Sequence, residues 1–439
     1  MNWRLTLGIS AGFVLASLGV LAQVQAPPLT SVIIGTACTG GNSIWPGRGS
    51  AVLQCNGSTY QPSNPHVTPE MYGAVCDGAT DDQVALQAWM NSGRALLLTS
   101  RCAFASPITV NLAAATFGVA RGLSITGTSV NQAQLVANST TATVSINTGA
   151  YANPIGPGAQ IVMRDFAVVA NVPNVGDITS NFAVQVRGSA QTGSGVPNFL
   201  FDNVMITGTS TSNYFNGGLY LRDVRDGVVT HCTIYGRQAD PPNGVGIKFT
   251  TSAGGSQPVD LHIRDCPNVS WWDKCLQMGE NPGVGATDVQ GIYVFSSTFL
   301  ACQNGIYWYG NNNSDALLTS FGNHFNHGDN GIFLHNIQAP SILQNNFLFF
   351  TRMGQTTTHG FYTEMVNGVA SYAQINHNFS DMLSGAGGAA TRIGITSHSS
   401  TATPTNDIIS GNQVLGATTS YVGSGTGVGA GTRFYGNQP

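Results

Sequence analysis

Charge is what this chain has least of. Only 8% of its 439 residues are Asp, Glu, Lys or Arg, lysine occurs twice, at Lys248 and Lys274, and the formal net charge is -4. A nucleic-acid face needs clustered Lys and Arg to neutralise phosphates, so a nucleic-acid partner is excluded. Also missing are a Cys-x-x-Cys pair, any Cys/His spacing that suits zinc, and the carboxylate cluster that calcium prefers; no cofactor and no metal are expected. Beyond residue 22 no run is apolar enough to cross a bilayer. Scarce charge does not mean disorder here, because 42% of the residues are hydrophobic and they alternate strictly.

Residues 5–22 form one apolar run behind Arg4, followed by polar, Pro-rich sequence, which is the pattern of a signal peptide cut after Ala22. The same run is long enough to act as an uncleaved anchor. After cleavage no membrane contact is expected, and the protein is expected outside the cell: secreted, periplasmic or on the surface. Eight cysteines in an exported chain favour disulfides. Cys38–Cys55 and Cys76–Cys102 are the preferred bridges. Cys232 and Cys266 occupy equivalent corners, either as a bridge or as stacked thiols, while Cys275 and Cys302 fall at different points of the repeat and stay unassigned.

What is present is a repeat. The segments GLYLR (from Gly218), GIKFT (Gly246), CLQMG (Cys275), GIYWY (Gly305), GIFLH (Gly331), GFYTE (Gly360) and GITSH (Gly394) start 28, 29, 30, 26, 29 and 34 residues apart. A copy without the glycine, AVQVR, begins at Ala183. Such spacing denotes a solenoid. The second and fourth residues of each copy are mostly apolar while the third and fifth vary, so each copy reads as a short strand with one buried face. Between copies, runs such as LTSFGNHF, ILQNNF and AQINHNF end in Asn-rich corners, where Asn accepts left-handed backbone and can bond an Asn one coil away. The expected fold is an all-β parallel β-helix. Residues 1–22 are read as the signal peptide, 23–65 as a small two-cysteine module, 66–102 as a capping segment with a helix, and 103–439 as the solenoid.

The capping segment carries Gly73, Ala74, Asp77, Gly78, Thr80, Asp81 and Asp82 ahead of a helix through Val84, Leu86, Ala88 and Trp89, with Thr80 and Gln83 read as its capping box. This string resembles the N-terminus of the pectate-lyase-like superfamily, and with the repeat the likeness spans about Val67 to Gln413. The resemblance implies a right-handed parallel β-helix, and a family of polysaccharide lyases, hydrolases, uronan epimerases and phage tailspikes. Asp77, Asp81 and Asp82 already have a structural reason at a helix N-terminus. Residues 23–65 resemble the two-cysteine modules at the ends of pilus-tip and phage tail proteins, which implies attachment or capping.

Stacked in register, the third residues form the column Gln185, Tyr220, Lys248, Gln277, Tyr307, Phe333, Tyr362, Thr396, and the fifth residues the column Arg187, Arg222, Thr250, Gly279, Tyr309, His335, Glu364, His398. Tyr307, Phe333 and Tyr362 would make an outward aromatic strip, either packed on the sheet under a covering loop or open to sugar faces, beside a titratable ladder of Tyr309, His335, Glu364 and His398. Elimination on a uronic-acid chain needs a base for the C5 proton, a proton donor for the leaving oxygen and positive charge near the carboxylate. His335 or Tyr309 would supply base or acid. Arg222 and Lys248 would neutralise carboxylates, although three coils or more separate them from His335; with Tyr220 they make a rival site. Hydrolysis needs two carboxylates, and only Glu364 lies on the ladder, so a partner would come from Asp315, Asp329 or Asp381. The histidines His335 and His398 lie too far apart to share a metal with Glu364. His324, His327 and Asp329 could overhang the ladder, and Trp271 and Trp272 are read as core or loop packing, with a second sugar contact as the alternative. The leading expectation is a polysaccharide lyase on an acidic glycan. A non-catalytic adhesin or tailspike-like binder is the alternative, with epimerase or hydrolase behind it, and homotrimerisation stays open.

Overall fold

The structure, a computed structural model, describes residues 33–38, 44–46, 52–63, 65–112, 122–149, 160–188, 198–224, 226–239, 241–251, 259–279, 289–313, 317–337, 341–350, 357–365, 373–382, 391–399, 407–425 and 433–438. The expected signal peptide lies outside them. The chain divides into two compact units, Met1–Ser63 and Asn64–Pro439. In the first, Ile44–Pro46, Val52–Cys55 and Tyr60–Pro62 form an antiparallel sheet, and Cys38 is bridged to Cys55. No helix among the described residues is long and apolar enough to cross a membrane.

The second unit is a parallel β-helix. Among the described residues its coils build a thirteen-stranded sheet and a twenty-one-stranded one; long strands such as Thr298–Asn313 and His324–Ile337 run on between the two further strand positions of each coil. Stacking follows the repeat. Tyr220, Lys248, Gln277, Tyr307, Phe333, Tyr362 and Thr396 pair successively, as do Arg187, Arg222 and Thr250, and Tyr309, His335, Glu364 and His398. The alternating partners, among them Ile306, Trp308, Ile332 and Leu334, fill the core, where Phe299 stacks on Phe325 at 5.0 Å.

The glycine that opens each copy is a packing requirement. A Cβ on Gly218, Gly305, Gly331 or Gly360 would lie 2.4, 2.5, 2.6 or 2.6 Å from the carbonyl oxygen of the glycine opening the next coil. Real side chains do not come that close, so only hydrogen fits. At Gly331 the added carbon would also meet Leu348 Cδ2 at 2.3 Å. Gly331→Ala is therefore expected to destabilise the fold by about 2 kcal/mol or more, read as a lower denaturation midpoint; an unchanged midpoint would show that the coils can spread.

The N-terminal cap departs from its expected chemistry. The helix is Gln83–Met90 and its N-cap is Asp82, not Thr80. The Thr80 hydroxyl instead bonds Asp77 Oδ2 at 2.8 Å, because Asp77 closes a turn on the amides of Ala79 and Thr80. Asp82 accepts from the amides of Val75 and Cys76, so these carboxylates serve the turn. Leu86 and Trp89 bury against the first coil, and the Gln87 amide pairs with both the N–H and the carbonyl of Thr109, occupying groups of a strand edge that has no coil beyond it.

Cys76–Cys102 forms as expected, and Cys275–Cys302, unassigned from spacing, is a third bridge. The two cysteines come together because Cys302 lies at the corner entering the strand directly above that of Cys275. Cys232 and Cys266 are free, buried and stacked on adjacent coils.

Candidate functional site

Strands Thr298–Asn313, His324–Ile337, Thr357–Met365 and Thr391–Ser399 carry the candidate residues on their outward positions. The aromatic column is continuous: Tyr307 stacks on Phe333 at 4.8 Å between centroids, and Phe333 meets Tyr362 edge-on at 5.3 Å. Beside it, Tyr309 stacks on His335 at 4.0 Å, and His335 Nδ1 lies 2.8 Å from Glu364 Oε2. The other imidazole nitrogen, Nε2, lies 2.9 Å from Asn336 Nδ2. In the neutral ring this places the proton on Nδ1, donated to Glu364, while Nε2 accepts from the Asn336 amide. Both ring nitrogens are thus occupied, and the solvent-facing member of the pair is the Glu364 carboxylate.

The His335 hydrogen bond, helped by the charge of His398 and opposed by partial burial, holds the Glu364 carboxyl below its ordinary range, so it is ionised at neutral pH. Its second oxygen faces the Tyr362 hydroxyl at 3.4 Å. Burial, reinforced by Glu364 among other anionic neighbours, pushes the Tyr307 and Tyr362 phenols up to about 12, and burial with Glu364 also raises Tyr309. All three phenols therefore stay protonated, which makes them donors and not bases.

Stacking carries a cost in access. Phe333 and His335 keep only 7 and 6% of their surface, and Tyr220 and Lys248 3 and 4%, although all four take outward strand positions. Rings about 4.8 Å apart cover one another, so the wettable groups are those at the margins: Tyr307, Tyr309, Tyr362, Glu364 and His398.

A flanking polar column was not singled out from the sequence. Asn330 Nδ2 bonds Asn304 Oδ1 at 2.7 Å, His359 stacks on Tyr362 at 4.6 Å, and the Lys274 ammonium stands 5.0 Å over the Tyr307 ring while paired with Asp273 at 2.6 Å. Lys274, Asn304, Asn330 and His359 each stand one place before the first residue of a repeat copy and pair in register, but their residue type changes from coil to coil. Asn336, which engages His335, directly follows the repeat and carries left-handed backbone, φ +53°.

Arg222 and Lys248 are not brought to this site; the register keeps Lys248 three coils from the Phe333 level. They form a separate cluster. Lys248 Nζ stands over the rings of Tyr220 and Phe182 at 5.1 and 5.9 Å, and the Tyr220 hydroxyl bonds Thr250 Oγ1 at 2.9 Å. Trp272 is wholly buried, its indole N–H donated to the Ile234 carbonyl, so it is core and not a sugar contact. His327 is also buried and does not overhang the ladder. Asp315 lies outside the described residues. Among the described residues the one metal-like grouping, Cys76, Asp82 and Cys102, contains a disulfide and has no free thiolate to offer.

The class defined by fold and face is a parallel β-helix with an aromatic and carboxylate outer strip. Neither a protein-family model nor the sequence of a characterised protein matches the chain. Solved structures do match in fold. The tailspike protein of an Acinetobacter phage aligns with a TM-score of 0.53 at 11% identity, over 90% of this chain and 70% of that one. PfbA, a surface adhesin of Streptococcus pneumoniae, gives 0.51 at 10% identity, over 85% and 90%. The catalytic unit of an α-1,3-glucanase from Streptomyces thermodiastaticus gives 0.50 at 14% identity, over 87% and 72%. The chain spans about half, 48%, of a full-length tailspike from a bacteriophage of Escherichia coli O157:H7. At these identities the likeness is one of fold.

Proposed function

We propose that this chain is an exported, polysaccharide-active protein of the pectate-lyase-like kind, which holds an acidic glycan across the coils opened by Gly305, Gly331 and Gly360. The observation that carries the reading is the Glu364 carboxylate, kept ionised by His335 and set beside the Tyr362 hydroxyl, with the partly exposed Tyr309 ring stacked on His335 one coil further back. Rings of this kind take the apolar faces of sugars, and the carboxylate accepts from their hydroxyls or removes a proton. Surface and glycan-directed proteins share the fold, but the reading rests on the site.

The reaction class proposed is β-elimination. Glu364 takes the C5 proton, the C4–O bond breaks as the C4=C5 bond forms, and a protonated phenol, Tyr309, returns a proton to the leaving oxygen. His335 acts as a positioning residue that aims and ionises Glu364. Lys274, above Tyr307, would meet a sugar carboxylate at the Gly305 coil; Lys248 and Arg222 would serve sugars further along the chain. The second reading, binding without cleavage, is favoured by the burial of Phe333 and His335 at the middle of the strip.

A panel of uronans incubated with the protein separates the two. Elimination raises ultraviolet absorbance from the new double bond, and Glu364→Gln should lower that rate by about 100-fold or more. Retention of a glycan with neither absorbance nor new reducing ends would leave a binding protein. An unchanged rate in Glu364→Gln would remove this carboxylate from the chemistry.

A further inference from the structure

Arg187 and Arg222 sit directly one above the other on adjacent coils, about 4.8 Å apart by strand spacing. Like charges rarely stack without something between them. Burial and the neighbouring Arg222 charge both pull the Arg187 guanidinium below its ordinary range, so the repulsion is felt in the folded chain. In each residue the Nε–H is buried and has no hydrogen-bond partner among the described residues. Arg187 spends one Nη group on the Ser180 carbonyl and on Gln185 Oε1, which anchors the side chain without using Nε. Arg222 Nε lies 3.6 Å from Asp223 Oδ2, close enough for charge attraction but too far for a hydrogen bond.

Among the described residues two carboxylates face the pair. Asp177 is consumed by its own turn, where it accepts from Thr179, Ser180 and Asn181, and Asp223 neutralises part of Arg222. With Lys248 one coil further on, the cluster stays net positive. Arginine presents donors in a planar fork that matches an oxyanion, and a buried donor left unmade costs stability until a ligand supplies the acceptor.

We propose that Arg187 and Arg222 form an oxyanion subsite, the two guanidinium groups sharing one carboxylate, sulfate or phosphate-ester group carried by a glycan. The inference deepens the polysaccharide reading: it makes the ligand an acidic polymer and gives it a second anchor five and six coils from Glu364. The clamp itself does not depend on that reading, since a free oxyanion would satisfy it.

The test uses the whole protein and four probes: an oligouronate, its methyl ester, a sulfated oligosaccharide and inorganic sulfate. Wild type should bind one of the two charged oligomers about tenfold more tightly than the ester, and the preferred one identifies the anion. Arg222→Gln should abolish that preference. Arg222→Lys keeps the charge but removes the Nε–H, and should also lose most of it. Binding of the neutral ester should not change. Should Arg187→Gln unfold, the two Arg222 variants carry the test, because that side chain is partly exposed. If both Arg222 variants keep the full preference, or if wild type shows none, the subsite is wrong. Should no oligomer bind at all, the glycan reading fails separately; sulfate must then still raise the melting temperature of wild type and not of Arg222→Gln, and an equal rise in both overturns the clamp.

Discussion

Asn378→Ala is expected to cost about 3 kcal/mol or more of folding stability, more than any surface change on this chain. The corners of the later coils bury an asparagine ladder: Asn323, Asn346, Asn378, Asn412 and Asn437 hand amide to amide at 3.1, 3.0, 3.0 and 3.0 Å. Asn378 sits in the middle. Its Nδ2 donates to the Leu343 carbonyl and to Asn412, and its Oδ1 accepts from the backbone and side-chain N–H groups of Asn346. Alanine would leave a buried backbone donor, a buried carbonyl and two amides short of partners. Denaturant unfolding checks this, with Gln374→Ala, exposed in the same coil, as a control expected within about 0.5 kcal/mol of wild type. A loss at Asn378 no larger than the control would show that the ladder carries no net stability.

The second large effect is acid lability centred on His327. This side chain is wholly buried, and among the described residues neither ring nitrogen has a hydrogen-bond partner. Burial, with the nearby His359, pushes its pKa down to about 3, and burial pushes His359 down to about 4. The sign follows from linkage. Below its ordinary value of 6.5 the unfolded chain takes up a proton that the folded chain refuses, so stability falls as the pH drops from about 6.5 towards 3 and levels off below that. At about 1.4 kcal/mol per pH unit, His327 alone accounts for a loss on the order of 5 kcal/mol. His327→Leu removes the titration and two unsatisfied nitrogens together. It should be more stable than wild type by about 1–3 kcal/mol at neutral pH, with the gap widening between pH 6.5 and 4. Parallel stability curves for the two proteins would mean that His327 is solvated or partnered and the account is wrong.

Much of this was legible because a solenoid repeats its physics. An apolar residue at every second place of GIYWY and GIFLH can face only inward, and a glycine opening each copy leaves room for the next coil's carbonyl, so the columns followed from counting. The corner asparagines were readable for the same reason: Asn323, Asn346, Asn378 and Asn412 recur at one point of the coil. What escaped lay outside the repeated residue types. The Cys275–Cys302 bridge joins two different points of the coil, the Asp82 carboxylate at the helix N-cap position goes to the amides of Val75 and Cys76 while Asp77 draws the Thr80 hydroxyl into a turn, and Lys274, Asn304, Asn330 and Asn336 lie outside the repeated pentapeptide.

By itself, then, the sequence determined which residues share a column and which coils separate them, because strand alternation and coil length are properties of the chain. Only the tertiary structure decided what each column can do. Outward position did not mean exposure, since rings at strand spacing cover Phe333 and His335. Nor did a titratable residue mean a free base, since Asn336 and Glu364 occupy both nitrogens of His335. Stacking also set Arg187 against Arg222 with donors unmet. Those outcomes depend on side-chain directions and burial across coils, which no spacing along the chain encodes.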